Sequence, residues 1–308
     1  MNLAFITAQQ VAILFVLIFV GFICIKIGVL KSEGKKAFSD LLIYLIVPAM
    51  IINSYITEFN DEVLKNLFEA FKYSTILLLL GLVITVVLGL KLKDKNAPII
   101  KIACIFSNAA YMGFPLIQAL FGTEGLLYAS AFLTVYNILL WTIGYAMISG
   151  KTNFKGVIHS ICTTPVIIAV IIGIVILVFQ IPVHTVIKQP LSYVGNMNTP
   201  LSMVITGMII ADSSFSKIVK NKLIFFSILV RMIVIPIACI ILFKLLNIRG
   251  EISNIVLLLQ ACPCAAITSV FAVQFGYDED LAAGSVVITT FLSIITLPLF
   301  AYVITTFM

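Results

Sequence analysis

Charged residues fall in short clusters along this chain, and the stretches between them are almost wholly apolar. Ten such stretches stand out, at 9–30, 38–56, 70–90, 99–121, 125–149, 164–182, 190–211, 223–246, 252–275 and 281–305. Each is long enough to cross a bilayer as a helix, the form in which a lipid-exposed backbone satisfies its own hydrogen bonds. The seventh is the most interrupted, with Pro190, Gly195, Asn196, Asn198 and Pro200 inside it. The pattern predicts an all-α membrane protein of ten transmembrane helices joined by short loops.

Composition sharpens this. Of 308 residues, 62% are hydrophobic and 10% charged, whereas soluble domains run near ~45–50% and ~25%. Ten spans use up nearly the whole chain, which excludes an attached soluble catalytic, ATP-hydrolysing or receptor domain. The net charge of +6 gives no ground for a nucleic-acid partner, and no cofactor motif is present. The first 25 residues carry no charge, so the basic start of a cleavable signal peptide is missing and the first stretch reads as a permanent span. Six cysteines, Cys24, Cys104, Cys162, Cys239, Cys262 and Cys264, lie in or beside apolar stretches and read as small buried hydrophobes. There is no His-Glu-x-x-His motif and no acidic pair within a span, so an enzyme is not expected.

Ten spans place successive loops on alternating sides. One side collects thirteen Lys (26, 31, 35, 36, 91, 93, 95, 101, 151, 155, 217, 220 and 222), and the other Lys65, Lys72, Lys188, Lys244 and Arg249. The basic side is expected in the cytoplasm, with both termini outside and the acidic segment Glu58–Glu69 outside as well.

The chain also repeats itself. FGTEGLLYAS (121–130) returns as FGYDEDLAAGS (275–285). At an offset of 155, Ser130 meets Ser285, Thr134 meets Thr289 and Asn108 meets Pro263. Two halves of five spans follow, 1–155 and 156–308. Five is odd, so the second half is inverted relative to the first, as in secondary transporters that alternate access around a midplane site.

Such transporters bind at discontinuous helices. The fourth span reads Ser107-Asn108-Ala109-Ala110-Tyr111-Met112-Gly113-Phe114-Pro115, and the ninth Gln260-Ala261-Cys262-Pro263-Cys264-Ala265. If both break there and cross, the half-helices beginning after each break aim their positive ends at the crossing, which suits an anion. Ser130, Thr134 and Asn137 share one helical face, as do Ser285, Thr289, Ser293 and Thr296. Any single hydroxyl can bond to its own helix instead, but the two stripes match under the repeat and read as polar faces packed toward the crossing. Arg231, inside the eighth span, either attracts an anion, reaches toward the cytoplasmic surface, or braces helix ends. Cys262-Pro263-Cys264 raises soft-metal transport, but two thiols alone make a weak site and neither His159 nor His184 is near in sequence. No metal site is expected.

Asn108 through Leu116 with Phe121-Gly122, Pro263 through Phe300, Val47-Pro48-Ala49 and Arg231 to Pro236 together resemble the auxin efflux carrier family. That family contains plant auxin exporters and bacterial malate or malonate permeases, and the likeness covers the whole chain. It implies a bile-acid-symporter-like fold with spans 1, 2, 6 and 7 as scaffold and spans 3–5 and 8–10 as a mobile transport domain. Broken spans 4 and 9 would cross at the binding site, and motion would be elevator-fashion. Plant members carry a proline-asparagine pair in the fourth span; here Asn108 is kept and Ser107 replaces the proline. The resemblance thus implies a short bacterial inner-membrane carrier exporting a small carboxylate, such as malate, malonate or an auxin-like acid. Substrate contacts would come from Ser107, Asn108, Ala109, Asn137, Pro263 and Cys264, with Pro48, Asn53, Asn198 and Pro200 on the scaffold side. Gln260 and Thr268 supply neutral oxygens near the crossing, which leaves a sodium-coupled importer as the alternative. A homodimer through the scaffold is expected, with the lipid bilayer around it.

Overall fold

The computed structural model describes residues 3–57, 60–150, 163–212 and 221–307. The boundary between the two halves near 155, Cys162, His159, Lys151, Lys155, Lys217, Lys220 and Glu58 lie outside the described residues. Among those described, every regular element is helical apart from a single antiparallel bridge between Ser107 and Cys264.

In chain order the helices are α1 (Leu3–Lys26), α2 (Gly34–Ser54), α3 (Asp61–Leu88), α4 (Ala97–Ile105), α5 (Ala109–Ser149) and α6 (Pro165–Val178). They continue with α7 (Thr185–Asn196), α8 (Asn198–Asp212), α9 (Lys222–Leu245), α10 (Glu251–Ala261), α11 (Ile267–Phe275) and α12 (Glu279–Phe307). Each predicted apolar stretch is thus helical over most of its length, the fourth and ninth with a break inside. Among the described residues, seven helical stretches are long and apolar enough to cross a membrane by length and composition, counting α7 with α8 as one.

Several boundaries differ from the sequence reading. The first helix starts at Leu3 rather than near residue 9, because Gln9 and Gln10 fit within a helix as well as before one. The third starts at Asp61, about two turns early. There Asn60 caps it by accepting from the Val63 amide at 2.7 Å, and Asp61 and Glu62 suit the positive end. The acidic stretch expected as a loop is therefore helix from Asp61 onward. The fourth and fifth predicted spans meet at Gly122, whose φ of 66° is left-handed and breaks α5 into two helical pieces. The interrupted seventh stays helical on both sides of Met197.

Three prolines leave the same mark, while Pro190 and Pro298 lie inside α-helix without it. π-turns at Leu42–Ile46, Ala109–Gly113 and Val230–Val234 stand just before Pro48, Pro115 and Pro236. In each, the residue four before the proline (Tyr44, Tyr111, Met232) lies inside the turn. A proline offers no amide and its ring crowds that carbonyl, so the wider turn relieves the clash.

Helix α1 packs against α8 and α12, and α2 against α6 and α7, while α3 packs against α5 and α10. The α1–α8 contact is backbone to backbone: a Cβ on Gly207 would fall 2.1 Å from the Ile18 carbonyl oxygen, and one on Gly21 2.3 Å from that of Val204. In lipid, where burial of apolar surface gives no drive between helices, such close approach supplies the dispersion energy instead.

Candidate functional site

The sequence forces two helix ends into the middle of the molecule. Helix α4 stops at Ile105, and Phe106 is extended (φ −98°, ψ 121°). Helix α10 stops at Ala261, and Cys262 is extended as well (φ −60°, ψ 153°). Proline 263 cannot donate a hydrogen bond, so the helix cannot run through it unchanged. The two extended segments pair with each other. The Asn108 amide donates to the Pro263 carbonyl at 2.8 Å, and the Ala265 amide to that of Phe106 at 3.0 Å, on either side of the Ser107–Cys264 bridge. Each break thereby satisfies backbone groups that the other exposes. After the breaks the chain resumes as α5 and α11.

Four helix ends meet here, and they are treated differently. The ends of α4 and α10 present carbonyls with no partner further along their helices. Arg231 supplies one. Its Nε donates to the Cys262 carbonyl at 3.0 Å, and its Nη1 to those of Cys104 and Ile105 at 3.2 and 3.1 Å. Its Nη2 donates to the Gln260 carbonyl. Arg231 is fully buried and, among the described residues, is the one charged side chain that is. Of the three roles open to it, the geometry is that of a brace across helix ends. It sits in the Val230–Val234 π-turn, which offsets its helical phase toward the crossing.

The starts of α5 and α11 have no capping side chain. Each carries about half a positive charge, and the ends of α4 and α10 about half a negative charge each. Arg231 offsets the latter two, so the crossing retains a positive field of about one charge. No acidic side chain among the described residues is buried to oppose it.

Beside these starts, Ser107 Oγ, Asn108 Nδ2 and Thr268 Oγ1 are buried with no hydrogen-bond partner in the protein, and so are both amide atoms of Gln260 at the end of α10. Asn53 Oδ1 and both amide atoms of Asn198 share this condition on α2 and α8, and α8 packs on the first turn of α5. Each such group costs about 1–3 kcal/mol unless something bonds to it. Native interiors leave a few such groups per hundred residues, so it is their adjacency to the two helix starts, rather than their number, that points to a polar ligand.

Not every predicted contact lies here. The Cys264 amide, expected to meet a substrate, is already bonded to Thr289 Oγ1 at 3.0 Å. The Asn137 amide nitrogen donates to the Leu133 carbonyl of its own helix at 2.7 Å. Pro200 is exposed, because the helix resumes at Asn198 and turns that face outward. Pro48 sits half-buried after its π-turn. Of the polar stripes, Thr289 reaches the crossing, while Ser130, Thr134 and Ser285 donate to carbonyls of their own helices. Two contributors were missed. Tyr55 bonds Ser130 at 2.8 Å, tying α2 to α5. Thr85 Oγ1 is a further buried group without a partner, one turn from Gly81, where a Cβ would fall 2.9 Å from the Gln260 amide nitrogen. The spacing Gly81–Thr85 in an otherwise aliphatic run was the signal for it. A cavity of about 420 Å³ opens elsewhere, near Thr57, Gln180 and Lys188, and none of the predicted site residues lines it.

Crossed, interrupted helices inside an apolar bundle are what membrane transport proteins use to build a site, and the relatives of this chain fall in that class. A family described as membrane transport protein matches residues 6–159 and 151–301. The chain belongs to this family, that of the auxin efflux carriers. It is similar to an uncharacterized transporter of Methanocaldococcus jannaschii, 25% identical over 97% of this chain and 99% of the relative. A second uncharacterized transporter, from Methanothermobacter thermautotrophicus, is 21% identical over 97% and 98% of the two chains. The protein is a multi-pass membrane transport protein rather than an enzyme.

Proposed function

We propose that this protein is a secondary transporter of a small organic anion, exporting a carboxylate such as malate, malonate or an auxin-like acid. The reading rests on one observation above the rest: unpartnered Ser107, Asn108 and Thr268 side chains surround two uncapped helix starts in a field left positive by Arg231. A carboxylate supplies what these groups lack. Its oxygens accept from the Asn108 amide nitrogen, the two hydroxyls and the first amides of α5. Contact at the α11 start falls to Thr268 rather than to the Cys264 amide, which Thr289 holds.

In this reading the ten helical spans form two inverted halves, 1–155 and 156–308. Spans 1, 2, 6 and 7 stay fixed as a dimerising scaffold, and spans 3–5 with 8–10 carry the crossing across the bilayer like an elevator. The basic loops face the cytoplasm of the plasma membrane, and both termini face outward. Asn53 and Asn198 contribute from the scaffold side.

The test is uptake by proteoliposomes offered labelled malate, malonate and auxin. Saturable uptake of at least one acid, lost in Asn108→Ala, is expected. A protein active toward amines or neutral solutes but toward none of the acids contradicts the proposal.

A further inference from the structure

Half-helix carbonyl ends at a transporter crossing are ordinarily where a coupling cation binds, since unwound carbonyls and the negative ends of two helices make a ready cage for a small hard ion. Here a protein side chain already holds four of those carbonyls. Arg231 donates from all three guanidinium nitrogens to four carbonyls, those of Cys104 and Ile105 at the end of α4 and of Gln260 and Cys262 around the end of α10. It comes from a third helix, α9, and no buried carboxylate pairs with it among the described residues. Its counter-charge is therefore the pair of helix ends itself, about half a negative charge each.

We infer that Arg231 is a resident cation which does the work of a co-transported one, so that this carrier moves its substrate without a coupling metal ion. The inference rests on the crossing being the substrate site, and deepens that reading by assigning its coupling. A bound Na⁺ would leave the site after each cycle; a covalently held guanidinium does not. It keeps the two carbonyl ends neutralised and the opposite ends positive in every state. An anion then binds with no requirement for a second solute. Gln260 fits the same picture. Its carbonyl serves Arg231, while its side-chain amide, on the α3 side near Gly81, remains unpartnered. A neutral amide is tolerated there; a carboxylate at that position would compete with the helix ends for the guanidinium. Arg231 is thus a positioning residue, acting on the substrate through the helix ends it holds.

Two measurements test this. In proteoliposomes, wild-type uptake of the carboxylate is expected to be unchanged when Na⁺ is replaced by K⁺, Li⁺ or choline. Arg231→Ala is expected to lose about a hundredfold in uptake, the scale of two missing charge-assisted hydrogen bonds, and to regain about tenfold or more in millimolar guanidinium. Loss of wild-type uptake without Na⁺ overturns the inference, as does an Arg231→Ala protein that no added cation improves. The second measurement needs no substrate: thermal unfolding of purified Arg231→Ala with guanidinium, Na⁺ or choline. Guanidinium should stabilise the variant selectively and leave the wild type unmoved; equal behaviour in all three salts counts against the resident-cation role. If Arg231→Ala accumulates only when made with guanidinium present, that is the same rescue. If it cannot be recovered at all, Arg231→Lys decides. A single ammonium reaches fewer of the four carbonyls, so partial uptake that guanidinium does not raise and Na⁺ removal does not lower is expected. Na⁺-dependent uptake by Arg231→Lys overturns the inference. Should the wild type transport none of the acids, the substrate reading fails, and the unfolding measurements still decide the role of Arg231.

Discussion

The helix ends before the two breaks and those after them differ in how the protein treats them. Before the breaks, α4 and α10 end on carbonyls of which one buried arginine gathers four. After the breaks, α5 and α11 begin without a capping side chain and beside Ser107 Oγ, Asn108 Nδ2 and Thr268 Oγ1, which have no protein partner. One pair of ends is finished by the fold; the other is left unfinished. The difference teaches that a binding site in an apolar bundle is marked less by its charges than by the polar groups the fold declines to satisfy.

Removing the brace should have the largest effect on that contrast. Arg231→Met keeps the volume but strands four carbonyls, and a loss of at least about 3 kcal/mol of stability is expected in unfolding of the purified protein. Asn108→Ala, on the unfinished side, should do the reverse: uptake falls about 10–100-fold while the unfolding temperature holds steady or rises. Equal destabilisation by both variants would erase the distinction between the two pairs of ends. Thr289→Val sharpens it further, since it frees the Cys264 amide without changing side-chain shape. A cost of about 1–2 kcal/mol is expected in unfolding, with transport retained. The smallest change is Tyr55→Phe. Because Ser130 already donates to the Leu127 carbonyl at 2.6 Å, the tyrosine hydroxyl is the donor to Ser130. Its loss should cost about 1 kcal/mol.

Much of this was legible in the sequence, for reasons that are local. A proline between two cysteines cannot continue a helix, and an Asn-Ala-Ala start with a proline seven residues after Asn108 invites a new one; both breaks follow. Helix existence followed from the spacing of charges. The polar stripes were legible only in part: Thr289 does reach the crossing. Asn137 and Thr134 have the periodicity of a lining face, yet each bonds to a carbonyl of its own helix, an option that sequence spacing leaves open. Pro200 looks like an interruption by residue type, yet it is an exposed residue in the first turn of a helix. The partners of Arg231 were out of reach for a different reason. They are backbone carbonyls as many as 127 positions away, and a carbonyl carries no side-chain identity that a sequence could display.

The central claim is that the unfinished ends hold a negative charge, and competition tests it most directly. Uptake of a labelled carboxylate by proteoliposomes is measured against its unlabelled acid and against the uncharged amide of the same shape. The acid should compete fully and the amide hardly at all, since about one positive charge at the crossing has nothing to pair with in a neutral guest. An amide that competes as well as the acid would show that shape alone is recognised, and the electrostatic account of the site would be wrong.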